Sequence, residues 1–542
     1  MSLKNTISLI RFLLFSPALF AVGVSAGDAP EKTAASPFVM VNGNIITMDE
    51  KDTRAQAMAV KDGKIMAVGT SSEIETHLLP GWRKINLEGK TVLPGFIDCH
   101  SHLDIAGAYK TFTDGSKLRS IDAILSVVKQ QAMKTPAGQL IAINNINQNN
   151  LKEQRPPTRY ELDRGTTDHP VILIHYTIHQ AYLNSAAVKL FGINASLDGA
   201  DADNGIVNGI LRDPASVEII GKALGLIPKE NITRGILAVS CEALKHGIST
   251  IHTMQGSELY PDAAKDMLAL ADQLPVHLVV WNSSNDTNKL FNLKLPRLGG
   301  CSDFMADGEI TSHTAAIFEP YNDLPLSRGT LLHTQEYWDK YVLVAYAHNL
   351  QFAAHAETEA GIETVLWAME KANAFYPNKK LRCRIEHLEM PTMTQLERMN
   401  KIGVIASMQP AFVDLPAQEM AALIKAFGDT RMQRYNPLKD VVDHGIIIAG
   451  GSDSPVTPYN PIAGIYSAVN HPIKTQRVSV KEAVKMFTVN AAYSAFEENE
   501  KGTLEVGKIA DMVVLSADPF SIPVEKLREI KVEKTFVAGR EF

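Results

Sequence analysis

Residues 91–102 read TVLPGFIDCHSH: an apolar run, the turn-like Pro94-Gly95, a second apolar pair and then two histidines. The apolar residues favour a buried strand, and Pro-Gly is a common turn signal. In an extended strand alternate side chains point the same way, so His100 and His102 are expected to face one side together. Imidazole is a frequent metal ligand, and the pair therefore predicts one half of a metal site.

Three further strand ends carry groups that bind metals. His355, His387 and Asp453 each lie at the end of a predicted strand. A lone histidine there is more often structural, but four histidines and a carboxylate at strand ends favour a metal centre. This donor set suits Zn2+, with Mn2+ or Fe2+ as alternatives, and leaves open whether one or two ions bind.

Short apolar strands alternate with longer helical patterns through the middle of the chain. Residues 350–354 predict a strand and residues 360–374 a helix, and residues 446–449 begin a later strand. This alternation predicts parallel strands, and about eight such units fit the length. We therefore predict a (β/α)8 TIM barrel over residues 93–502, with a substrate-pocket insertion at 104–245.

Both ends of the chain are rich in short strands and turn signals. Residues 37–92 contain two hairpin-like patterns, and residues 510–515 and 532–539 add two more strands. We expect the two ends to pair. The prediction is a small β-sandwich satellite domain made of residues 37–92 and 503–542.

The first residues resemble a secretory signal. Lys4 and Arg11 precede an apolar stretch at 12–22, and Val24-Ser25-Ala26 supplies small residues for a signal peptidase. The stretch is shorter than the roughly 20 residues that a membrane-spanning helix needs. This favours a signal peptide over residues 1–26, cleaved after Ala26, and a secreted or periplasmic protein without stable membrane insertion; an uncleaved anchor is the alternative.

Composition and charge limit the classes of molecule that the protein is expected to bind. The 542 residues carry a formal charge of −7 without a basic stripe, which argues against nucleic acid and favours a small-molecule substrate. The four cysteines lack any C-x-x-C pattern and predict neither a disulfide framework nor a structural zinc site. We expect each of them to be a small buried hydrophobe. The four are Cys99, Cys241, Cys301 and Cys383.

These motifs together resemble the amidohydrolase superfamily over most of the mature chain. Residues 91–102 look like its first barrel strand, residues 451–455 like its eighth, and residues 504–511 like its return strand into the satellite sheet. Finer segments resemble the branch that contains N-substituted formamide deformylase. These segments are residues 183–187, 204–211, 306–308, 384–387 and 408–410.

The resemblance implies hydrolysis of a non-peptide carbon–nitrogen bond, in an amide or N-formyl amide, by a metal-activated water. Asp453 would be both a metal ligand and the general base that later protonates the leaving amine. Three residues are candidates for the substrate pocket: His179 aligns with a histidine of the branch, His313 falls where the branch often has arginine, and Gln409 lies at a strand end. A homo-oligomer is common in enzymes of this type.

Two departures from the branch leave alternatives open. The branch carries a metal-bridging lysine where this chain has Asp303, which predicts either a carboxylate bridge or a surface residue beside a single ion. Residues 355–357 read His-Ala-Glu, as in imidazolonepropionase, so Glu357 is either a proton shuttle or a solvated carboxylate at a helix start. A single-metal cyclic-amide hydrolase or deaminase, and a non-catalytic binding protein, are therefore the alternative functions.

Overall fold

The computed structural model describes residues 36–377 and 379–542. The predicted signal peptide at residues 1–26 lies outside the described residues. Among the helices that are described, none combines the length and apolar character needed to cross a membrane.

Eight parallel strands form the central sheet, and each pairs with its neighbours along the chain. They are β1 (Phe96–Ser101), β2 (Ile248–Gln255), β3 (His277–Asn282), β4 (Arg297–Met305), β5 (Gln351–Thr358), β6 (Arg384–Met390), β7 (Ile405–Met408) and β8 (Ile448–Gly450). Beyond β8, Ser454 bridges to Ser101, and the amide of Asp453 donates to the carbonyl of His100 at 2.8 Å. The mixed α/β fold with a barrel-like parallel sheet is confirmed.

Helices alternate with these strands and bury their apolar faces against the sheet. The largest core cluster includes Phe304, Trp338 and Phe352, all fully buried. The helix predicted at 360–374 is found at Glu359–Phe375. The α-helices are Ser71–Glu75, Leu103–Tyr109, Ile121–Ala132, Arg159–Asp163, Ser185–Leu190, Ala215–Leu224, Lys229–Lys245, Ala263–Leu270, Thr287–Leu293, Gln335–Ala347, Glu359–Phe375, Met393–Ile402, Ala417–Met432, Leu438–Asp443, Pro461–Val469, Val480–Met486 and Val489–Tyr493.

Residues near both ends of the described chain pair in one six-stranded sheet. Met512–Leu515 runs antiparallel to Thr91–Pro94, which leads through Gly95 directly into β1. In spatial order its strands are Arg540–Glu541, Val532–Val537, Met512–Leu515, Thr91–Pro94, Asn44–Ile46 and Arg54–Ala55.

A four-stranded sheet lies beside it, and the two share an apolar core that includes Phe38 and Phe536. Its strands are Lys64–Gly69, Ala57–Lys61, Phe38–Val41 and Arg83–Asn86. A separate β-sandwich domain with the predicted boundaries, and a barrel domain at 93–502, stay predictions.

The segment predicted as an insertion contains a sheet of its own. In spatial order its strands are Ala200–Asp203, Ile206–Arg212, Gln180–Leu183, Val171–His175, Ile141–Ile146 and Thr113–Asp114. Two core clusters, one on Ile172 and Ile174 and one on Leu173 and Tyr182, cover its two faces. Successive residues of Val171–His175 thus pack on opposite faces of the sheet, as the period of a strand requires.

Two glycines allow the helix Leu103–Tyr109 to lie against Lys229–Lys245. A Cβ atom at Gly235 would come within 2.0 Å of the carbonyl oxygen of Gly107. A backbone oxygen cannot yield as a flexible side chain can. The helix Leu103–Tyr109, which follows β1, can therefore pack this closely only because position 235 is a glycine.

We predict that Gly235→Ala lowers the free energy of unfolding by about 2 kcal/mol, because the added methyl group pushes the two helices apart. Gly221→Ala is the matched control, since Gly221 is also helical but its Cβ would meet only a leucine methyl group at 3.4 Å. That change should be neutral or stabilise by up to about 1 kcal/mol. Urea denaturation of both variants checks this, and equal effects would contradict the close contact.

Candidate metal centre

The five ligands predicted from strand ends come together at the carboxyl end of the barrel. Nε2 of His100 and of His102 lie 3.3 and 3.1 Å from Oδ1 of Asp453. The ring centroid of His387 lies 4.8 Å from the ring centroid of His100 and 4.5 Å from that of His355. All five residues are at least nine-tenths buried, so their polar atoms are held away from bulk water.

Backbone conformation helps to aim two of these side chains. His387 and Asp453 have φ angles of 73° and 55°, in the left-handed region that residues other than glycine seldom adopt. The carboxylate of Asp98 accepts the amide of Ser452 at 3.1 Å and so ties the segment before Asp453 to β1. Unfavourable backbone angles held by surrounding contacts are typical of functional sites.

Cys301 on β4 lies in the middle of the cluster. Its Sγ is 3.5 Å from Nε2 of His100 and 3.9 Å from Nε2 of His387. Two triads of possible ligands share this sulfur, one with His100 and His102 and one with His355 and His387, and within each triad the ligand atoms lie within 4.8 Å of one another. From sequence Cys301 was expected to be a small buried hydrophobe, and its place among the candidate ligands was not predicted.

Two further triads of possible ligands adjoin these. One joins His100, His387 and Asp453, and the other joins His179, His355 and Glu357. The second lies on the side of the cluster that faces the inserted sheet, because His179 follows the strand Val171–His175. The arrangement therefore offers places for more than one ion.

Asp303 does not join the cluster. Its carboxylate accepts the backbone amides of Glu258 at 3.0 Å and Asn285 at 2.9 Å, which lie in the loops after β2 and β3. The pairing of β4 with β5 shifts register between Gly300 and Met305. The resemblance placed Asp303 at the position of the branch's lysine, four residues before Asp307-Gly308, whereas the irregular backbone brings Cys301 to the cluster. Of the two roles predicted for Asp303, the carboxylate bridge does not fit these contacts.

A buried chain of charges orients His100. Nδ1 of His100 lies 2.6 Å from Oε2 of Glu386, and Arg384 donates to both oxygens of that carboxylate at 2.8 and 2.6 Å. Burial alone would raise the pKa of Glu386, but the charge of Arg384 and the hydrogen bond from His100 hold it at about 2. With Nδ1 engaged, Nε2 of His100 is left to face the cluster.

His387 is oriented in the same way by a neutral group. Its Nδ1 donates to Oε1 of Gln409 at 2.9 Å. Gln409 was predicted to contact substrate, and the structure places it behind a candidate ligand, with its Nε2 buried and without a hydrogen-bond partner.

Glu357 lies beside His355 rather than in solvent. Its Oε1 is 3.9 Å from Nε2 of His355, and its Oε2 accepts the amide of Ile310 at 2.9 Å. Burial raises the pKa of Glu357 well above its ordinary value, and the neighbouring carboxyls of Glu389 and Glu309 raise it further. The alternative of a solvated helix-start carboxylate therefore does not fit its surroundings.

The two remaining pocket candidates are placed differently. His179 lies with its ring 5.6 Å from that of His355, and its Nδ1 is 2.6 Å from Oδ2 of Asp213. Burial alone would lower the pKa of His179, but Asp213 raises it to about 9. His313 instead contacts Asp323 at 3.0 Å and packs on Tyr321, and it belongs to none of the triads found among the described residues.

Comparison with known proteins agrees with this geometry. Residues 83–542 match the model of the amidohydrolase family. The amidohydrolase YtcJ of Bacillus subtilis is 30% identical over 92% of this chain and 98% of its own length, and N-substituted formamide deformylase of Arthrobacter pascens is 26% identical over 94% and 98%. A metal-dependent hydrolase of Pyrococcus furiosus whose function is uncharacterised has a similar structure, with a TM-score of 0.71, 26% identity, and coverage of 90% of this chain and all of that one.

A barrel with clustered metal-binding groups at the carboxyl ends of its strands is the architecture of a metal-dependent hydrolase. The chain belongs to the amidohydrolase family.

We predict that Arg384→Met destabilises the protein by about 3–5 kcal/mol, because it leaves Glu386 buried without its cation. Arg398→Met is the control: Arg398 pairs with Glu363 and Glu370 but is partly exposed. Its loss should lower stability by about 1 kcal/mol or less. Urea denaturation compares the two, and a loss at Arg384 no larger than at Arg398 would show that the buried pair does not support the barrel.

Proposed function

We propose that the protein hydrolyses a non-peptide carbon–nitrogen bond, preferably in an amide or N-formyl amide, and that residues around Cys301 would hold two zinc ions. The observation that carries this proposal is the single sulfur shared by two triads of ligands. Because both triads include Cys301, this one side chain could contribute a ligand atom to either set. The amidohydrolase family as a whole acts on small-molecule substrates, and the proposed substrates are of this kind.

The residues present fit zinc. Thiolate and imidazole are ligands that zinc binds well, whereas manganese favours oxygen donors. Oδ1 of Asp453 is buried 3.3 and 3.1 Å from Nε2 of His100 and of His102, so the carboxylate faces the same point as these two imidazoles. His100 and His102 with Cys301 would hold one ion, and His355 and His387 with Cys301 the other.

When bound, zinc lowers the pKa of a water molecule and polarises a carbonyl group. The chain supplies the rest of the chemistry. Asp453 lies between His100 and His102, where its carboxylate would accept a proton from the attacking water and pass it to the leaving amine. Glu386 and Gln409 keep two imidazoles turned toward the centre, so that few groups must reorganise during the reaction.

A single-metal cyclic-amide hydrolase is the second candidate. The triad of His179, His355 and Glu357 supports it, because a buried glutamate with a raised pKa holds a proton that it can donate to a leaving group. In that case Cys301 would bind one ion only. The number of ions per chain therefore separates the two candidates.

We predict two zinc ions per chain in the wild-type protein and at most one in Cys301→Ser, because an alcohol does not ionise as a thiol does. Asp303→Asn is the control and should keep two ions, since Asp303 binds backbone amides outside the cluster. Elemental analysis after reconstitution with zinc measures both, with circular dichroism to confirm folding. One ion in the wild type would favour the single-metal candidate.

We predict that Asp453→Asn lowers kcat for amide hydrolysis by about a hundredfold or more, because the amide cannot accept and pass on a proton. The assay uses N-formyl and N-acetyl amines with the zinc-loaded protein, and chelation followed by added zinc should abolish and restore turnover. Unchanged kcat in the variant would remove Asp453 from the mechanism. Binding of these amides without any turnover would instead indicate a binding protein.

A further inference from the structure

A cavity lies at the amino-terminal end of the barrel, opposite the candidate metal centre. Its volume of about 460 Å³ falls within the range that is usual for small-molecule sites. Arg297 and Gln351, the first residues of β4 and β5, both line it, and we call it the basal cavity. His355 follows Gln351 by four residues, so about 13 Å of β5 separates the basal cavity from the metal centre.

The guanidinium of Arg297 lines the basal cavity without a carboxylate partner. Its Nη2 donates to the carbonyl of Ala495 at 2.6 Å, and its Nε is buried without a hydrogen-bond partner. The ion pairs of the described residues do not include Arg297, whereas Arg382 and Arg384 each have a carboxylate oxygen at 2.6 Å. Burial lowers the pKa of Arg297, and the charge of Glu497 offsets this only in part. A bound carboxylate would supply the anion that this partly buried cation lacks.

Gln351 offers a hydrogen-bond acceptor beside Arg297. Its Nε2 donates to the carbonyls of Arg382 at 2.8 Å and Ser494 at 2.7 Å, which fixes the amide and leaves Oε1 buried without a donor. Arg297 and Gln351 are register partners on adjacent parallel strands, so their side chains leave the sheet on the same face, from strands about 4.8 Å apart. A ligand that bears a donor next to its carboxylate would satisfy both side chains.

The other charged groups of the basal cavity are of both signs. Glu497 faces Lys501, with Oε2 3.5 Å from Nζ, and is therefore already paired. Glu500 and Lys380 also line the cavity, and both are exposed and form no ion pair within the described part of the chain. One free carboxylate and one free ammonium group thus lie at the edge of the cavity, which favours a ligand that carries both charges.

Part of the cavity wall is apolar. Pro296, Leu381 and Phe496 line it, and the large ring of Phe496 is 46% exposed. Phe496 also has a φ angle of 62°, in the left-handed region that residues other than glycine seldom adopt. Surrounding contacts must hold such a backbone in place, as is typical of functional sites. An alkyl group bound here would remove apolar surface from water.

We propose that the basal cavity binds a free α-amino acid with an apolar side chain. The carboxylate binds Arg297 and Lys380, and the ammonium group donates to Oε1 of Gln351 and faces Glu500. These two groups of an α-amino acid sit on neighbouring carbons, which suits side chains that come from adjacent strands. The alkyl side chain covers the apolar wall.

The test compares three molecules that share one branched alkyl chain: L-leucine, 4-methylpentanoate, which lacks the ammonium group, and 3-methylbutylamine, which lacks the carboxylate. Isothermal titration calorimetry with the zinc-loaded protein measures the Kd and the stoichiometry of each. We expect one L-leucine per chain, and binding about tenfold or more weaker for each of the other two, because each leaves a cavity group without its partner. Equal Kd values for L-leucine and 4-methylpentanoate, or no measurable binding of L-leucine, would overturn the inference.

Arg297→Gln locates the binding, because a free amino acid can also chelate zinc. The variant should bind L-leucine about tenfold or more weakly, with the zinc content of the wild type by elemental analysis. Arg477→Gln is the matched control and should bind as the wild type does. Arg477 also donates to a backbone carbonyl, that of His471 at 2.9 Å, and has no ion pair among the described residues, but it does not line the cavity.

Unchanged binding of L-leucine in Arg297→Gln would place the amino acid elsewhere and contradict the site. If that variant does not fold, Lys380→Gln, a change at an exposed residue, is measured instead. Its affinity for L-leucine should fall by about threefold, and an unchanged Kd would contradict the assignment. Binding at the basal cavity requires no turnover, so its failure would leave the proposed hydrolytic function intact.

Discussion

The buried chain from Arg384 through Glu386 to His100 holds the centre of the barrel together. Arg384 also donates to the carbonyl of Cys99 and the hydroxyl of Ser407, so one guanidinium joins β1, β6 and β7. A charge so deeply buried is tolerated only when every partner is in place. The same contacts that stabilise the barrel therefore also fix the first candidate ligand, and the fold and the site cannot be altered independently here.

Much of the barrel and five of its candidate ligands could be predicted from sequence because both follow from regular strands. The carboxyl ends of parallel strands meet at one face, so His355, His387 and Asp453 could be placed with His100 and His102 without knowing any distance. The strands predicted at 350–354 and 446–449 followed in turn from apolar runs of strand length, whereas several other barrel strands could not be located in this way.

The remaining site residues depend on features that periodicity does not encode. The register shift in β4 brings Cys301 to the centre and leaves Asp303 with backbone amides outside it. His179 comes from the inserted segment, and only the tertiary structure brings it to His355 and Glu357.

The pairing of Met512–Leu515 with Thr91–Pro94 has a consequence for how the enzyme comes into being. The strand that leads into the first histidines is completed only by residues close to the carboxyl terminus. A chain emerging from the ribosome must therefore be synthesised past residue 515 before this pairing can form, and contacts so distant in sequence form slowly. Assembly of the candidate ligands is then a late event, and a chain without residues 512–515 would carry every candidate ligand but lack the strand that pairs with the approach to the first two.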